Sequence, residues 1–433
     1  MSLALLLIGS TVLLALGWRR DDLRTLRGSA DAVDVLWVLA IAAWPTVVTY
    51  LLAPLVFPGD AAAQVAGAQF PILQYAPAMI MSLVALGRAV VAGRMRIDPP
   101  ALVLGALLLV GFASLVIDGS GQVVNLVVAG ILVVGTFVRT REVGLALIAC
   151  AARLALFVVV VSVTVAVFVA PAAATSDCRS DKCNIAQQVV SSPFAGNGNA
   201  AGLAAAILLP FVLVRLSWLR LLATSLGVAA YMEATASRTA MIGVAVAFVI
   251  AAGLILIRDA RLRTVWATAV LVAAGAFSIL PLYANYIDDD FSFRGQLWTA
   301  AKHLVVDNPL LGYGPTYWQT MGLSALFDAN YSPHNGWLDI AVGMGLVGCV
   351  GIIAIVALQV LTTDNGVRAE LIGYYAVILS ISALESVYVP YYLGIVPAAA
   401  VLPLLMYHPV RRWPTVASTG VRTTAAEPQE RIV

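Results

Sequence analysis

Two arginines and a histidine are the side chains of this chain best suited to chemistry: Arg238 in ATASRTAMIG, Arg294 in FSFRGQLW and His334 in SPHNGWLDI. A guanidinium is permanently cationic, and its planar fork of N–H donors matches phosphate oxygens two at a time. An imidazole changes charge near neutral pH and can accept a proton from a hydroxyl. Together these groups would bind a phosphate and prepare a hydroxyl for attack. Each also has a plain structural reading. Arg238 could anchor a helix end by reaching lipid headgroups, Arg294 could sit on a solvated helix face, and His334 with Asn335 could cap the helix that follows.

The elements that must position these groups are apolar. Of 433 residues, 61% are hydrophobic and 11% charged, and the mean hydropathy is +0.94, which excludes an ordinary soluble domain. Apolar runs fall at about 2–17, 35–57, 70–92, 100–117, 123–138, 143–170, 198–214, 217–235, 239–257, 264–283, 336–361, 370–388 and 391–408. A spanning helix needs roughly 20 such residues. The expected fold is therefore all-α, a polytopic transmembrane bundle of about 12–13 helices. The first run lacks a small-residue cleavage site after it and reads as an anchor rather than a signal peptide.

Charge placement orients the bundle. Basic residues cluster at Arg19, Arg20, Arg24 and Arg27; at Arg88, Arg94 and Arg96; at Arg139 and Arg141; at Arg215 and Arg220; at Arg258, Arg261 and Arg263; at Arg368; and at Arg411 and Arg412. Cytoplasmic loops carry the excess of Lys and Arg, so these seven sites read as inside, with the N-terminus outside and the C-terminus inside. The expected layout is ten N-terminal helices over 1–283 with a short outer loop at 171–197, a large extracytoplasmic loop at 284–335, three helices over 336–408, and a disordered cytoplasmic tail at 409–433. Arg238, Arg294 and His334 all fall on the outer side.

The large loop has its own pattern. Phe293, Leu297, Ala301 and Leu304 recur three or four residues apart, which is a helical stripe, and Pro309 ends that helix. Gly312 and Gly314 supply a turn, and Tyr313, Tyr317 and Trp318 an interfacial belt. The stripe reads as an amphipathic helix lying at the outer membrane surface. Cys178 and Cys183 in SDCRSDKCN lie in a loop that the charge rule places outside, where a short-loop disulfide fits an oxidising compartment; a zinc site is not expected, since no second ligand pair is nearby. Asp288, Asp289 and Asp290 point in different directions as a solvated turn, so no metal is expected.

Two cations beside the outer leaflet with an imidazole suit a lipid pyrophosphate and an incoming sugar hydroxyl. Lesser candidates for substrate contact are Asn335, Asn197 and Asn199, the last two at the mouth of the seventh run, and Asp339, one turn below Asn335. Glu233 and Glu385 lie in or at the ends of apolar runs, where ionisable groups are costly and often functional, but the sequence assigns them no role.

The order of motifs carries a resemblance. FAGNGNAAGLAAAILLP, SRTA, RGQLWTAAKHLVVDNPLLGYGPTYW and HNGWLDIAVGMGLVG follow one another between about 190 and 352, and in that order they resemble the O-antigen ligase and polymerase superfamily of GT-C type membrane glycosyltransferases. The resemblance implies an inverting, metal-independent enzyme without cofactors in the bacterial plasma membrane, its active site extracytoplasmic. It implies that Arg238 and Arg294 engage the pyrophosphate of a polyprenyl-linked glycan and that His334 activates the acceptor, a glycan or glycolipid. Membrane lipid is a partner and nucleic acid is not. The family commonly has about twelve helices, so the extra N-terminal run is a departure. The rival reading is a transporter or flippase of lipid-linked glycans. Transporters tend to carry internal repeats and midplane polar sites, whereas here no repeat is found and the polar residues gather at one face.

Overall fold

The computed structural model describes residues 2–18, 29–57, 70–91, 98–118, 123–137, 143–178, 183–288, 290–315, 317, 332–387 and 396–405. Arg19, Arg20, Arg24, Arg27, Arg94, Arg96, Arg139, Arg141, Asp289, Trp318, Arg411, Arg412 and the tail at 409–433 lie outside the described residues, as do the side chains of Asn197 and Phe293.

Every apolar run becomes helix. In chain order these are α1 (Leu3–Gly17), α2 (Ser29–Ala42), α3 (Phe70–Val91), α4 (Pro99–Asp118), α5 (Val123–Phe137), α6 (Leu145–Val169), α7 (Asn199–Val212), α8 (Trp218–Ala234), α9 (Arg238–Leu256), α10 (Ala260–Ser278), the loop helix α11 (Asp290–Asp307), α12 (Gly336–Thr362), α13 (Asn365–Ser382) and α14 (Val396–Leu405). The protein is an all-α, multi-pass membrane protein. Six of the described helices are long and apolar enough to cross a membrane, or seven if α2 and its continuation Trp44–Val56, bent by 47° against it, are one span. The others are shorter than the run pattern suggested. For instance, α7 has 14 residues, roughly 21 Å of helix against about 30 Å of hydrocarbon.

The bend after α2 has a local cause. Pro45 and Pro54 each remove a backbone donor, and a π turn at Val48–Leu52 lies between them. The backbone carbonyl of Thr49 accepts from Ser192 Oγ at 2.6 Å. Ser192 belongs to a small antiparallel sheet, β1 (Thr175–Asp177), β2 (Gln188–Ser192) and β3 (Gly196–Asn197), with Thr175 opposite Val190 and Ser191 opposite Asn197. This sheet occupies the segment read above simply as an outer loop. Its central strand carries Val189 and Val190, β-branched residues that suit a pleated, half-buried surface.

The loop helix α11 keeps the boundary set by Pro309, but its apolar face meets protein. Leu297, Trp298 and Ala301 are buried, and Trp298 and Ala301 cluster with Leu338 and Val342 of α12. Tyr286 and Phe291 close over Trp298, with ring centroids 4.7 and 5.4 Å away. The stripe expected to lie on the membrane surface is thus a packing surface for α12. The reason lies in Trp298, whose large ring adds buried area beside the i, i+4 positions.

A second anchor fixes the end of this loop. Helix α12 is broken at Gly345, whose φ of 59° and ψ of −155° are not helical. The segment 309–314 fills the break with backbone hydrogen bonds. Tyr313 N donates to Val342 O at 2.8 Å, Gly314 N to Gly343 O at 3.0 Å, and Leu346 N to Pro309 O at 2.8 Å. Amides and carbonyls freed by the break are satisfied by the loop, as burial within a membrane protein demands. Gly312 and Gly345 permit this approach. Both have positive φ, and a Cβ on Gly345 would stand 2.3 Å from the Leu310 carbonyl, while one on Gly312 would stand 2.5 Å from Val342 O.

Gly345→Ala and Gly312→Ala are each expected to destabilise the protein by at least about 1–3 kcal/mol, the cost of holding a side chain in left-handed backbone, with the steric overlap adding to it. A thermal unfolding midpoint in detergent equal to that of the wild type would contradict this account of the broken helix.

Candidate functional site

Glu385 organises the site. It lies in the turn after α13, outside that helix, and its side chain is 7% exposed. A buried carboxylate is unfavourable unless charges and hydrogen bonds compensate it. Here Arg294 Nη2 donates to Oε1, Asn199 Nδ2 donates to the same oxygen at 2.8 Å, and His334 Nδ1 lies 2.9 Å from Oε2. Asn199 opens α7, Arg294 lies in the first turns of α11, and His334 stands two residues before α12. Three segments distant in sequence are therefore joined on one carboxylate.

Burial pushes the Glu385 carboxyl up, but the charge of His334 and then that of Arg294, with hydrogen bonds from His334 and Asn199, outweigh it and hold the group down at about 2. Glu385 is thus a carboxylate at neutral pH. Since a carboxylate only accepts, the bonded Nδ1 is the donor, which in a neutral ring would leave the lone pair on Nε2. The pair sets the tautomer that a general base needs.

Of the six described non-glycine residues with positive φ, four fall beside these groups. His334 has φ of 51°, Phe291 and Ser292 just before Arg294 have 52° and 61°, and Ala236 just before Arg238 has 50°. Left-handed backbone in residues other than glycine costs of order 1–3 kcal/mol and clusters at functional sites.

Arg238 is exposed and joins the cluster only indirectly. Its neighbour Ser237 donates from Oγ to Asn199 Oδ1 at 2.6 Å, and Asn199 reaches Glu385. The Arg238 side chain lines a cleft of about 440 Å³ between α8 and α9, with Asn184 and Glu233 at its rim. Among the described residues no carboxylate pairs with Arg238. Glu233 is turned to the sheet segment instead, where its Oε1 accepts from Ile185 N at 3.0 Å and its carbonyl from Asn184 Nδ2 at 3.1 Å. Cys178 and Cys183 are bonded, with Cα atoms 4.8 Å apart, and Cys183 belongs to the wall of this cleft.

The remaining candidates divide. Asn335 is fully buried, and its side chain is committed to protein. Its Oδ1 caps α12 at Leu338 N, and its Nδ2 lies 3.0–3.1 Å from the carbonyls of Ser278, Ser382 and Ala383. It ties together the ends of α10, α12 and α13, so that its polar atoms are taken up by protein. Asp339 is buried one turn further into α12, where it interacts with Ser386 and, through space, with His334. Asn199 bridges Glu385 and Ser237. The backbone of Asn197 pairs with Ser191 in the sheet. Among the described residues no three His, Cys, Asp or Glu side chains gather in a way that could hold a metal ion. Glu385 and Ser237 are the members of this cluster to which the sequence assigned no role. The signal for Glu385 was an acidic residue inside an apolar run; for Ser237 there was none beyond its place before Arg238.

Asn335→Ala is expected to lower stability by about 1–2 kcal/mol for the lost cap, with more for three buried carbonyls left unpaired. The check is thermal unfolding; a variant that melts like the wild type yet fails to bind substrate would mean that Asn335 contacts substrate after all.

No curated protein matches the chain. Residues 223–353 match the O-antigen ligase family, a span that holds Arg238, the whole of α11 with Arg294, the loop inserted at Gly345, and His334. Asn199, the sheet and Glu385 fall outside it. Over that span, set in a multi-pass helical bundle, the chain is similar to the O-antigen ligase family.

Proposed function

We propose that this protein is an inverting, metal-independent glycosyltransferase that moves a glycan from a polyprenyl pyrophosphate to an acceptor sugar hydroxyl on the extracytoplasmic face of the bacterial plasma membrane. The acceptor oxygen attacks the anomeric carbon, the bond from that carbon to the pyrophosphate oxygen breaks, and the acceptor proton passes to His334 Nε2. The polyprenyl pyrophosphate departs with the bonding pair. The observation that carries this reading is the contact between Glu385 and His334 Nδ1 at 2.9 Å, which orients a base and stabilises the cation it becomes. A positioned base contributes typically 10²–10⁴-fold to rate.

Charge growing on the pyrophosphate falls to the arginines. Arg238 opens onto the cleft, and Arg294 has five N–H donors, of which the Nη2 bond to Glu385 uses one. Hydrogen bonds to charged groups contribute about 1.5–3 kcal/mol each, so contacts that strengthen as the bond breaks lower the barrier by several kcal/mol. Such a leaving group needs no acid to protonate it. Acceptors of two kinds fit, a lipid-anchored core sugar or the end of another lipid-linked glycan.

The test is complementation in cells lacking this protein, with His334→Ala, Arg238→Ala and Arg294→Ala compared with the wild type at equal membrane expression. Each variant is expected to lose mature surface glycan by roughly 100-fold or more, while lipid-linked precursor accumulates on the outer face. Precursor trapped on the inner face would overturn the reading in favour of a flippase.

A further inference from the structure

Arg215 is one of the two described left-handed residues that lie away from Glu385, and it stands just past the end of α7 opposite to Asn199. Left-handed backbone after a helix ordinarily falls to glycine, so an arginine there carries a conformational cost. The last carbonyls of α7 are met by another side chain. Arg153 of α6 donates from Nε to Val212 O at 3.0 Å and from Nη2 to Val214 O at 2.7 Å. Arg215 itself lines a cavity of about 270 Å³ between α7, α9 and α13. The opposite ends of these three helices carry or approach Asn199, Arg238 and Glu385, so the cavity lies roughly 21 Å from the site, one length of α7.

The cavity is charged at the helix ends and apolar further in. Among the described residues that line it, Arg215 and Arg263 are the two cations and Glu370 the one carboxylate. Positions 247, 250, 251 and 254 follow the i, i+3, i+4, i+7 spacing of a single face of α9 and continue the cavity into the bundle as an apolar trough. Arg263 donates from Nε to Ile257 O at 2.9 Å and from Nη2 to Leu254 O at 2.5 Å, which uses two of its five N–H groups. Glu370, in the second turn of α13, feels the charges of Arg263 and Arg215. The nearby acids Asp259 and Asp364 are engaged as caps of α10 and α13. A purely anionic head group would satisfy the arginines and set a like charge against Glu370. A head group with a phosphate and an ammonium complements all three side chains.

We infer that this cavity seats an aminophospholipid of the membrane, with its phosphate on Arg215 and Arg263, its ammonium on Glu370 and an acyl chain along the α9 trough. The arginines at 215, 220, 258, 261, 263 and 368 make this end read as cytoplasmic, so the lipid comes from the leaflet opposite to the one where the glycan would be transferred. A primary ammonium donates N–H groups to a carboxylate, whereas a trimethylammonium has none to donate. The seat uses none of His334, Arg294, Arg238 and Glu385, and it stands independently of the transferase reading.

The test is lipid binding to the full-length protein in detergent, followed by native mass spectrometry. The probes share their acyl chains and differ in the head: phosphatidylethanolamine, its mono-, di- and trimethylated forms, and phosphatidylglycerol. Wild-type protein is expected to bind phosphatidylethanolamine tightest, with affinity falling about tenfold to the trimethylated form, the equivalent of one lost charge-assisted bond. Glu370→Met levels the methylation series and turns the preference to phosphatidylglycerol. Arg215→Gln weakens the whole series about tenfold, while Arg261→Gln, at an exposed arginine of the same end outside the cavity, leaves it unchanged. Equal wild-type affinities across the methylation series, or tighter binding of phosphatidylglycerol, would overturn the aminophospholipid. Wild-type binding by Arg215→Gln, or a methylation preference that survives in Glu370→Met, would overturn its place in this cavity. The wild-type series and the exposed Arg215 decide both points even if Glu370→Met does not fold.

Discussion

A carboxylate buried among apolar helices has to be met by cations and donors, and the rest of the site follows from how Glu385 meets that demand. Arg294, His334 and Asn199 converge on it. Removing any one would leave charge or polar groups uncompensated where compensation from water is poor. Because the partners come from the starts of α7, α11 and α12, the carboxylate also registers these elements against the end of α13. The same contact that stabilises the packing selects the His334 tautomer.

That interaction would be of little use if the loop helix could drift. Two contacts prevent drift. Trp298 and its neighbours pack on α12 near its mouth, and the segment 309–314 is sewn into the break at Gly345 further down the same helix. An uninterrupted α12 would have kept its own amides and carbonyls paired and offered no edge for the loop. The non-helical φ and ψ of a single glycine therefore serve to hold Arg294 at a fixed height beside His334. Asn335 completes the frame by tying the carbonyl ends of α10 and α13 to the start of α12.

Much of this was legible in the residues. Thirteen apolar runs became helices, six or seven of those described being long and apolar enough to cross a membrane, and Pro309 ended the loop helix, because proline acts locally. Motif order carried the resemblance to the O-antigen ligase family; of the three side chains singled out, Arg294 and His334 meet on Glu385 and Arg238 stands apart on its cleft. What stayed hidden depends on long-range pairing. Nothing around Glu385 in its own run reveals that Asn199, Arg294 and His334 will meet there. Gly345 sits in an unbroken apolar stretch, so hydropathy reads straight through the kink. Asn335 looked like a substrate contact because an asparagine at a helix mouth beside a histidine serves either role. Only the three carbonyls around it distinguish them. The sheet at Gln188–Ser192 is short and polar at its margins, below what alternation can resolve.

The central claim is that Glu385 and His334 act as one unit, and a double-mutant cycle on the transfer rate of the purified protein tests it most directly. Glu385→Gln and His334→Gln are compared singly and together at equal folding. If the carboxylate works through the imidazole, the double variant loses little more than the His334 variant alone, because groups that act as a unit are strongly non-additive. If the two losses multiply, Glu385 and His334 act independently, and the account of this site as a base held by a buried carboxylate is wrong.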